Sequence, residues 1–350
     1  MKVINNRFLQ QTFPLENNKF KNPYEEDLVL SVDDVKKFHQ ENFLKNKQHY
    51  PATSKLFKAK LATFFQYYGA KVHFNYIPSV NEDTGVKNYI RYLIIEHSDL
   101  VRDLNYWETF SVSNLMHRPI EVVHNEEWFL RNDEIQHAFL QNRISACSLA
   151  LLNAKYPAYP EKVLYSNILN LTKYRSKGLK LIDYEDTDLV VDKQFDEFTK
   201  IYRPILQNHE PFGNRVQMIE NNFDPSQLII NTNNDKQSQI KYLMNVNDNV
   251  FKNIASISVR SYDAKMKFTK KQFSEQDKFE EAEEILNDYP TKKKLDTALS
   301  RSIDKIMIAN RNTKLFFILM SGPFFAGMML FKKGKGAAKN EEPAPVIAVV

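Results

Sequence analysis

Glycine is scarce in this chain, with only eight among its 350 residues, where average usage of about 7% would give roughly 25. The four that precede residue 290 stand far apart, and they are Gly69, Gly85, Gly178 and Gly213. None of the patterns GxGxxG, GxxxxGKS/T, GxSxG or HExxH occurs. Loops that cradle phosphates are built from clustered glycines. The sequence therefore predicts neither a dinucleotide site nor a P-loop, and it argues against a nucleotide-binding enzyme.

Cysteine is nearly absent, since Cys147 is the single one in the sequence. An intramolecular disulfide and a zinc site built on thiolates both need at least two cysteines, so both are excluded. Cys147 lies among alanine and leucine residues of a predicted helix, which indicates a small buried apolar side chain. His73, His97 and His209 each lack a carboxylate or a second histidine at ligand spacing. The sequence therefore predicts no metal and no cofactor.

The excess of positive charge is small, because 48 lysines and arginines stand against 43 aspartates and glutamates, a formal net of +5. This charge is unevenly placed. Residues 291–350 hold eleven basic and four acidic residues, a net of +7, which leaves the first 290 residues at −2. A slightly acidic body lacks the basic surface that binding to a phosphate backbone requires. Nucleic acid is therefore excluded as a partner.

One uncharged apolar run lies near the C-terminus, where residues 315–331 read LFFILMSGPFFAGMMLF. As a helix this run is about 25 Å long, at the short end of what crosses a bilayer. Arg311 and Lys314 precede it, and Lys332 and Lys333 follow it. Such residues extend their charges to the lipid phosphates. The sequence predicts one transmembrane helix over residues 315–331, anchored at both interfaces by these four residues, with membrane lipids as partners.

Small residues inside this run indicate a packing partner within the membrane. Gly322 and Ala326 are four residues apart and share one helix face, where the backbone of a second helix can approach closely. Pro323 removes a backbone donor and favours a kink. The predicted packing site is therefore Gly322, Pro323 and Ala326. The predicted partners are other subunits of a membrane complex, including at least one transmembrane helix.

The rest of the chain predicts a mainly α fold with a small β-hairpin element, an α+β class, joined to the C-terminal transmembrane helix. Val72 and Phe74 alternate with His73 and Asn75, which is the period of a strand. The predicted organisation is an N-terminal extension over residues 1–30, a mainly helical soluble domain over 31–262 with a hairpin near 71–96, a charged helical membrane-proximal segment over 263–314, the transmembrane helix over 315–331 and a polar tail over 332–350.

Two E-x-x-H pairs are the candidates for chemistry, Glu121 with His124 and Glu134 with His137. Residues three apart share a helix face, which is how di-iron carboxylate bundles offer an oxygen and an imidazole to one metal. Residues 131–137 also resemble the final motif of membrane-associated di-iron oxidases, and this resemblance implies a membrane-bound di-iron-type oxidoreductase. Exposed polar residues at the start of a helix are the favoured interpretation, because the family needs two such pairs on different helices.

The function predicted from these observations is that of a non-catalytic accessory or structural subunit, not an enzyme. The subunit belongs to a large membrane complex of the mitochondrial inner membrane, in the respiratory chain or the ATP synthase. A C-terminal anchor, a packing groove and a glycine-poor body without a recognisable site all favour it. The alternative is a tail-anchored adaptor on the cytosolic face of an organelle membrane, and the di-iron oxidoreductase is the remote third hypothesis.

Overall fold

The computed structural model describes residues 27–50, 54–69, 71–80, 87–122, 126–173, 187–222, 224, 227–233, 235–258, 273–320 and 346–349. In chain order the elements are β1 (Asp27–Val32), α1 (Val35–Lys45), α2 (Ser54–Tyr68), β2 (Val72–Val80), β3 (Lys87–Glu96), α3 (His97–Tyr106), β4 (Ile120–Val122), α4 (Glu126–Arg131), α5 (Asp133–Leu152), β5 (Ala158–Pro160), α6 (Glu161–Leu169), α7 (Thr187–Lys193), α8 (Phe195–Asn208), β6 (Val216–Glu220), β7 (Leu228–Thr232), α9 (Lys236–Met244), α10 (Asp248–Ser258), α11 (Glu275–Asp288), α12 (Lys292–Met320) and β8 (Val346–Val349). The described part is mainly helical with two small sheets, of five and three strands.

The larger sheet has the strand order β2-β3-β1-β8-β4. β2 and β3 form an antiparallel hairpin in which Val72 lies opposite Ile95. β1 lies parallel to β3, with Leu28 opposite Tyr92, and also parallel to β8. The described centres of β1 and β3 are buried, Leu28–Leu30 and Tyr92–Ile95. Strands covered on both faces are continuous hydrophobic runs, which explains why these segments read LVL and YLII.

The two faces of this sheet pack against different helices. Leu93 and Ile95 of β3 share one hydrophobic cluster with Leu104 of α3 and Phe139 of α5. Successive side chains of a strand point to opposite faces. Tyr92 therefore points to the other face, where its hydroxyl meets Asn42 of α1. One face of the sheet is apolar, and the other carries polar groups beneath α1 and α2.

Helix α5 connects the sheet to a second, larger hydrophobic core. Its first half packs Ile135, Ala138 and Phe139 against the sheet. In its second half, every residue from Ile144 to Leu152 is buried. Most of these residues belong to one hydrophobic cluster with side chains of α6 and of α8 to α12. Asn132 caps its start by accepting a hydrogen bond from the Ile135 amide. A 20-residue helix whose second half is buried on all sides thus connects the two cores.

A buried carboxylate joins three elements of the second core. Glu161 of α6 is 0% exposed and accepts hydrogen bonds from Arg203 Nε at 2.9 Å, the Tyr165 hydroxyl at 3.1 Å and the Leu228 amide at 2.9 Å. The second guanidinium nitrogen of Arg203 also binds it. A buried charge is tolerated when it is paired and fully hydrogen-bonded. Glu161 therefore connects α6, α8 and β7.

Replacing Arg203 with methionine is expected to lower the free energy of unfolding by about 3 kcal/mol, because the Glu161 carboxylate stays buried without its cation. Urea unfolding followed by circular dichroism measures this change. The matched control is Lys200→Met, since Lys200 pairs with Glu197 on the surface with side chains 69% and 55% exposed; such a change stays within about 0.5 kcal/mol. Equal losses in the two variants would contradict the role given to Glu161.

The predicted transmembrane helix is not supported by the structure. Residues 315–320 are the last turns of α12, which begins at Lys292 and buries Leu295, Leu299 and Ile303 in the second core. Within the described part of the chain, no helix has the length and apolar character needed to cross a membrane. The remainder of the predicted span, residues 321–331, lies outside the described residues.

Candidate functional site

Nine polar side chains are buried together between the larger sheet and helices α1 and α2. They are His39, Asn42, Asn46, His49, Tyr50, Gln66, His73, Asn75 and Tyr92. Each is connected to another member of the group by a hydrogen bond, and none is a carboxylate or an amine. We call this group the polar network. Buried polar side chains are normally hydrogen-bonded, as these are.

Local sequence explains how the polar network assembles. His39, Asn42 and Asn46 are three and four residues apart, so they lie on one face of α1 or at its C-terminal end. Asp34 begins this helix by accepting a hydrogen bond from the Lys37 amide at 2.9 Å. After α1, a one-turn 3-10 helix over Lys47–His49 turns the chain back towards the sheet.

The sheet supplies the other side of the polar network. Asn75 of β2 and Tyr92 of β3 are direct cross-strand partners, and His73 lies two residues before Asn75 on the same face. Gln66 of α2 donates from Nε2 to the Ile94 carbonyl at 2.9 Å and to the Lys71 carbonyl at 3.1 Å. The network is therefore attached to the backbone of the sheet.

The Tyr92 hydroxyl is the centre of three hydrogen bonds. Asn42 Nδ2 lies 2.9 Å from it, Asn75 Nδ2 3.1 Å and His49 Nδ1 3.0 Å. A phenolic oxygen has two acceptor lone pairs and one hydrogen. Because the two amides fill the acceptor positions, the Tyr92 hydrogen is donated to His49 Nδ1. A neutral His49 then carries its own hydrogen on Nε2.

A second branch of hydrogen bonds passes through His39. Gln66 Oε1 accepts from His39 Nε2 at 2.9 Å, because the Gln66 amide nitrogen is already directed at the two backbone carbonyls. His39 Nδ1 is therefore the acceptor for the Tyr50 hydroxyl at 3.0 Å. Asn42 Nδ2 donates to that hydroxyl at 3.0 Å. Donors and acceptors alternate along the branch, which fixes the tautomer of His39.

Burial keeps the polar network uncharged at neutral pH. Loss of solvation lowers the pKa of His39 and of His49 to about 4. Burial also lowers the pKa of His73 well below its ordinary value, with His39 adding a smaller effect. The same loss of solvation raises the pKa of Tyr50 and Tyr92. The network therefore offers hydrogen bonds but no formal charge.

The Nε2 atom of His49 is buried without a hydrogen-bond partner in the described structure. His49 is 2% exposed, and no described residue accepts a hydrogen bond from its Nε2 atom. Among the residues that the structure describes, no group of three or more histidine, cysteine or acidic side chains is arranged to hold a metal ion. The arrangement therefore leaves a buried imidazole donor among uncharged, hydrogen-bonded side chains.

A second polar cluster lies on the opposite side of the sheet, between α3 and α5. Asn142 Oδ1 accepts from Trp107 Nε1 at 2.7 Å and from His117 Nε2 at 3.2 Å, while its Nδ2 donates to the Ser113 carbonyl at 2.9 Å. Burial lowers the pKa of His117 to about 3. The Tyr202 hydroxyl donates to the His117 carbonyl at 2.7 Å. This cluster attaches the loop after α3 to the second core.

The residues predicted for the membrane segment are not brought together by the described structure. Arg311 and Lys314 lie in α12, beyond the part of that helix whose side chains are described. The remaining predicted residues, Gly322, Pro323, Ala326, Lys332 and Lys333, lie outside the described residues. Their roles in helix packing and interface anchoring stay predictions.

The di-iron hypothesis is not supported either. Glu121 is exposed on β4, Glu134 and His137 are exposed near the start of α5, and His124 lies outside the described residues. Cys147 is buried, and burial raises its pKa. The E-x-x-H spacing reflects polar residues on a helix surface, where no second helix supplies further ligands within the described chain.

Sequence reasoning treated the histidines singly and so missed the polar network. His73 meets the His39 ring at 4.7 Å between centroids, although the two residues are far apart in the sequence. A signal was present: His39, Asn42 and Asn46 follow helical spacing, and His73 alternates with apolar residues on a strand. Polar residues on a face that should be buried indicate a polar core site.

The fold and site together define an α+β protein whose sheet holds an uncharged polar site beneath two helices. The chain belongs to the family described as "Phosphatidate cytidylyltransferase, mitochondrial", whose model matches residues 10–333. It is 29% identical over 188 residues to the phosphatidate cytidylyltransferase of Dictyostelium discoideum, covering 52% of this chain and 42% of that protein. It is 28% identical over 184 residues to the Danio rerio protein of the same name, covering 52% of this chain and 51% of that protein. It is 27% identical over 186 residues to the Saccharomyces cerevisiae protein of that name, covering 52% of this chain and 45% of that protein.

Family membership overturns the function predicted from the sequence. The family is one of enzymes, so the non-catalytic accessory subunit of a respiratory complex is wrong, as are the adaptor and the di-iron alternatives. A partner subunit with a transmembrane helix and a single-pass location are not supported. The mitochondrial location is supported by the family name. The chain spans about half the length of the curated relatives it matches.

Proposed function

We propose that this chain transfers a cytidylyl group from CTP to phosphatidate. A phosphate oxygen of phosphatidate attacks the α-phosphorus of CTP, a new P–O–P bond forms, and the bond to the β-phosphate breaks with release of pyrophosphate. The products are CDP-diacylglycerol and pyrophosphate. The observation that carries this proposal is the family match over residues 10–333, which includes every element from β1 to α12.

The polar network supports the nucleotide part of this proposal. A nucleoside offers many uncharged hydrogen-bonding groups, and a pocket for such a ligand contains a few well-placed polar side chains within an apolar setting. Tyr50 and Tyr92 accept hydrogen bonds from the Asn42 amide, and His49 is hydrogen-bonded to the Tyr92 hydroxyl, so their positions are fixed before a ligand binds. Preorganised groups lose little conformational entropy on binding.

Exposed aromatic residues on α2 support the lipid part. Phe64 is 53% and Tyr68 80% exposed, and their rings lie 4.7 Å apart. Lys60 is exposed on the same helix, and no acidic residue occurs between Ser54 and Tyr68. Aromatic and lysine side chains on one helix suit contact with an anionic bilayer. The inward side of this helix carries Gln66 of the polar network.

The full chain is expected to form a labelled lipid when it is incubated with magnesium, CTP labelled at the α-phosphate, and vesicles that contain phosphatidate. Extraction into chloroform followed by chromatography measures the CDP-diacylglycerol formed. Phosphatidylcholine vesicles are the matched control, because that lipid has no free phosphate monoester to attack. Absence of lipid-bound label with phosphatidate, from a protein shown to be folded, would overturn the proposal.

A further inference from the structure

The hydrogen bonds of the polar network end at His49. Asn46 Nδ2 donates to Asn42 Oδ1 at 2.8 Å, Asn42 Nδ2 donates to the Tyr92 hydroxyl, and Tyr92 donates to His49 Nδ1. Each step fixes the direction of the next, because an amide nitrogen only donates and the hydroxyl has one hydrogen. Hydrogen bonds ordered in one direction also polarise one another. This chain of hydrogen bonds therefore ends at the Nε2–H group of His49, which is its last donor.

This final donor is buried without an acceptor in the described chain. An unmade hydrogen bond of a buried donor costs about 1–3 kcal/mol, so the site is more stable when an acceptor binds there. The surroundings decide what kind of acceptor fits. The side chains that meet at the Tyr92 hydroxyl are all uncharged, so an isolated anion next to them would be poorly solvated. These side chains are His49, Asn42, Asn75 and Tyr92 itself. A neutral carbonyl oxygen or ring nitrogen is the acceptor that matches this environment.

We propose that His49 Nε2 donates a hydrogen bond to the cytosine base of the nucleotide substrate. This inference rests on the proposed function and assigns a specificity residue to it. Cytosine presents a carbonyl oxygen at C2 and an unprotonated N3, and both are uncharged acceptors. Uracil has an N–H group at N3, which opposes a second donor. Both bases carry the C2 carbonyl, so only a donor that meets N3 favours CTP over UTP, because in the UTP complex two N–H groups would face each other unpaired.

The test compares two substitutions that separate the two ring nitrogens of His49. In His49→Asn, the amide oxygen replaces Nδ1 as the acceptor for Tyr92, and no group replaces Nε2. In His49→Gln, the amide nitrogen reaches the position of Nε2 and restores a donor. We expect His49→Asn to raise KM for CTP about 3- to 10-fold with little change in kcat, the pattern for loss of uniform binding. His49→Gln should recover most of that loss.

Direct measurements make the result independent of turnover. Titration calorimetry of CTP into the protein without lipid should show the same rise in Kd for His49→Asn, and the preference for CTP over UTP should fall with it. His137→Gln is the matched control, since His137 is exposed on α5 and should leave both constants unchanged. Thermal unfolding checks that the variants are folded. If His49→Asn does not fold, Tyr92→Phe serves instead, and it should raise KM for CTP because it no longer fixes the His49 tautomer.

Three outcomes would overturn the inference. An unchanged KM for CTP in His49→Asn would mean that Nε2 binds water only. A rise confined to the KM for phosphatidate would place an ester carbonyl of the lipid at His49. Equal effects of the asparagine and glutamine variants would show a structural role. In each case a wild-type protein that forms CDP-diacylglycerol keeps the proposed function, whereas failure of the wild type to form product rejects that function separately.

Discussion

Lowering the pH from 7 to 5 is expected to reduce the free energy of unfolding by about 6 kcal/mol from His39, His49 and His117, or about 2 kcal/mol for each, and buried His73 adds to the loss in the same direction. Burial lowers the pKa of His39 and His49 to about 4 and that of His117 to about 3. In the unfolded chain each returns to the ordinary value of 6.5. Between these values the unfolded chain binds more protons than the folded one.

The direction of this pH effect on the free energy of unfolding follows from that difference in bound protons. Stability rises with pH wherever the unfolded state binds more protons. The contribution of these histidines is therefore complete above pH 6.5 and is lost as the pH falls towards 4. The geometry explains why protonation is resisted: His39 Nδ1 and His49 Nδ1 both accept from tyrosine hydroxyls. A proton on either nitrogen would replace an acceptor by a second donor.

Urea unfolding followed by tryptophan fluorescence at several pH values measures this dependence, since Trp107 is fully buried. His117→Gln should reduce the slope between pH 5 and 7 by about one histidine's share, or about 2 kcal/mol. Its amide nitrogen can still donate to Asn142. The matched control His137→Gln removes an exposed histidine and should leave the slope unchanged. A free energy of unfolding that stays constant from pH 7 to 5 would contradict the buried neutral histidines.

Replacing Asp103 with alanine is expected to lower the free energy of unfolding by about 4 kcal/mol, because several buried donors lose their acceptor. Asp103 is 3% exposed. Its two oxygens accept from the amides of Thr109, Phe110, Val112 and Ser113 at 2.9–3.0 Å. The hydroxyls of Thr109 and Ser113 add two more hydrogen bonds. One carboxylate thus organises the loop that follows α3.

The same loop explains how a glycine-poor chain makes a sharp turn. Trp107 and Phe110 have φ angles of 47° and 55°, a left-handed conformation that residues other than glycine rarely adopt. Both side chains are buried, with their rings 4.4 Å apart. Burial of two large aromatic rings and the hydrogen bonds to Asp103 offset the backbone strain, which is about 1–3 kcal/mol for each residue. Loss of Asp103 removes one of these two supports.

Equilibrium urea unfolding of Asp103→Ala gives the magnitude, and hydrogen exchange at residues 109–113 locates the effect. Exchange of the Phe110 and Val112 amides should accelerate more than that of the core amides of α5. Asp288→Ala is the matched control, because Asp288 is exposed. Removing an exposed side chain changes the free energy of unfolding by no more than about 0.5 kcal/mol. A change below about 1 kcal/mol in Asp103→Ala would show that water replaces the carboxylate without cost.

Secondary structure was the part of the fold that local sequence could predict. Alternation around His73 and Asn75 indicates a strand, and β2 covers these residues. The mainly helical character with a small β-hairpin element follows from similar periodicities, whereas the five-stranded and three-stranded sheets were not predicted. The apolar run after Lys314 shows where such reasoning fails. Its character suggests a membrane, but its first residues continue α12, whose start packs Leu295 and Leu299 into the second core.

The enzyme class was missed for a different reason. Missing glycine motifs exclude two particular phosphate-binding architectures, but they do not exclude nucleotide chemistry in general. The matching family shows that excluding every nucleotide-binding enzyme was too broad. A net charge of −2 describes the first 290 residues as a whole and does not report the charge of any one local group of side chains. An uncharged polar network such as that around Tyr92 leaves no trace in a charge count.

The sequence by itself determined the composition limits and the local periods: no intramolecular disulfide, no zinc site built on several thiolates of this chain, and a mainly helical chain with a small β-hairpin element. Only the tertiary structure decided which polar residues act together. Tyr92 meets Asn42, His49 and Asn75 across separations of 50, 43 and 17 residues. Helical and strand periods report neighbours within a few residues, whereas these hydrogen bonds depend on how α1 packs on the sheet. That packing is a property of the whole fold.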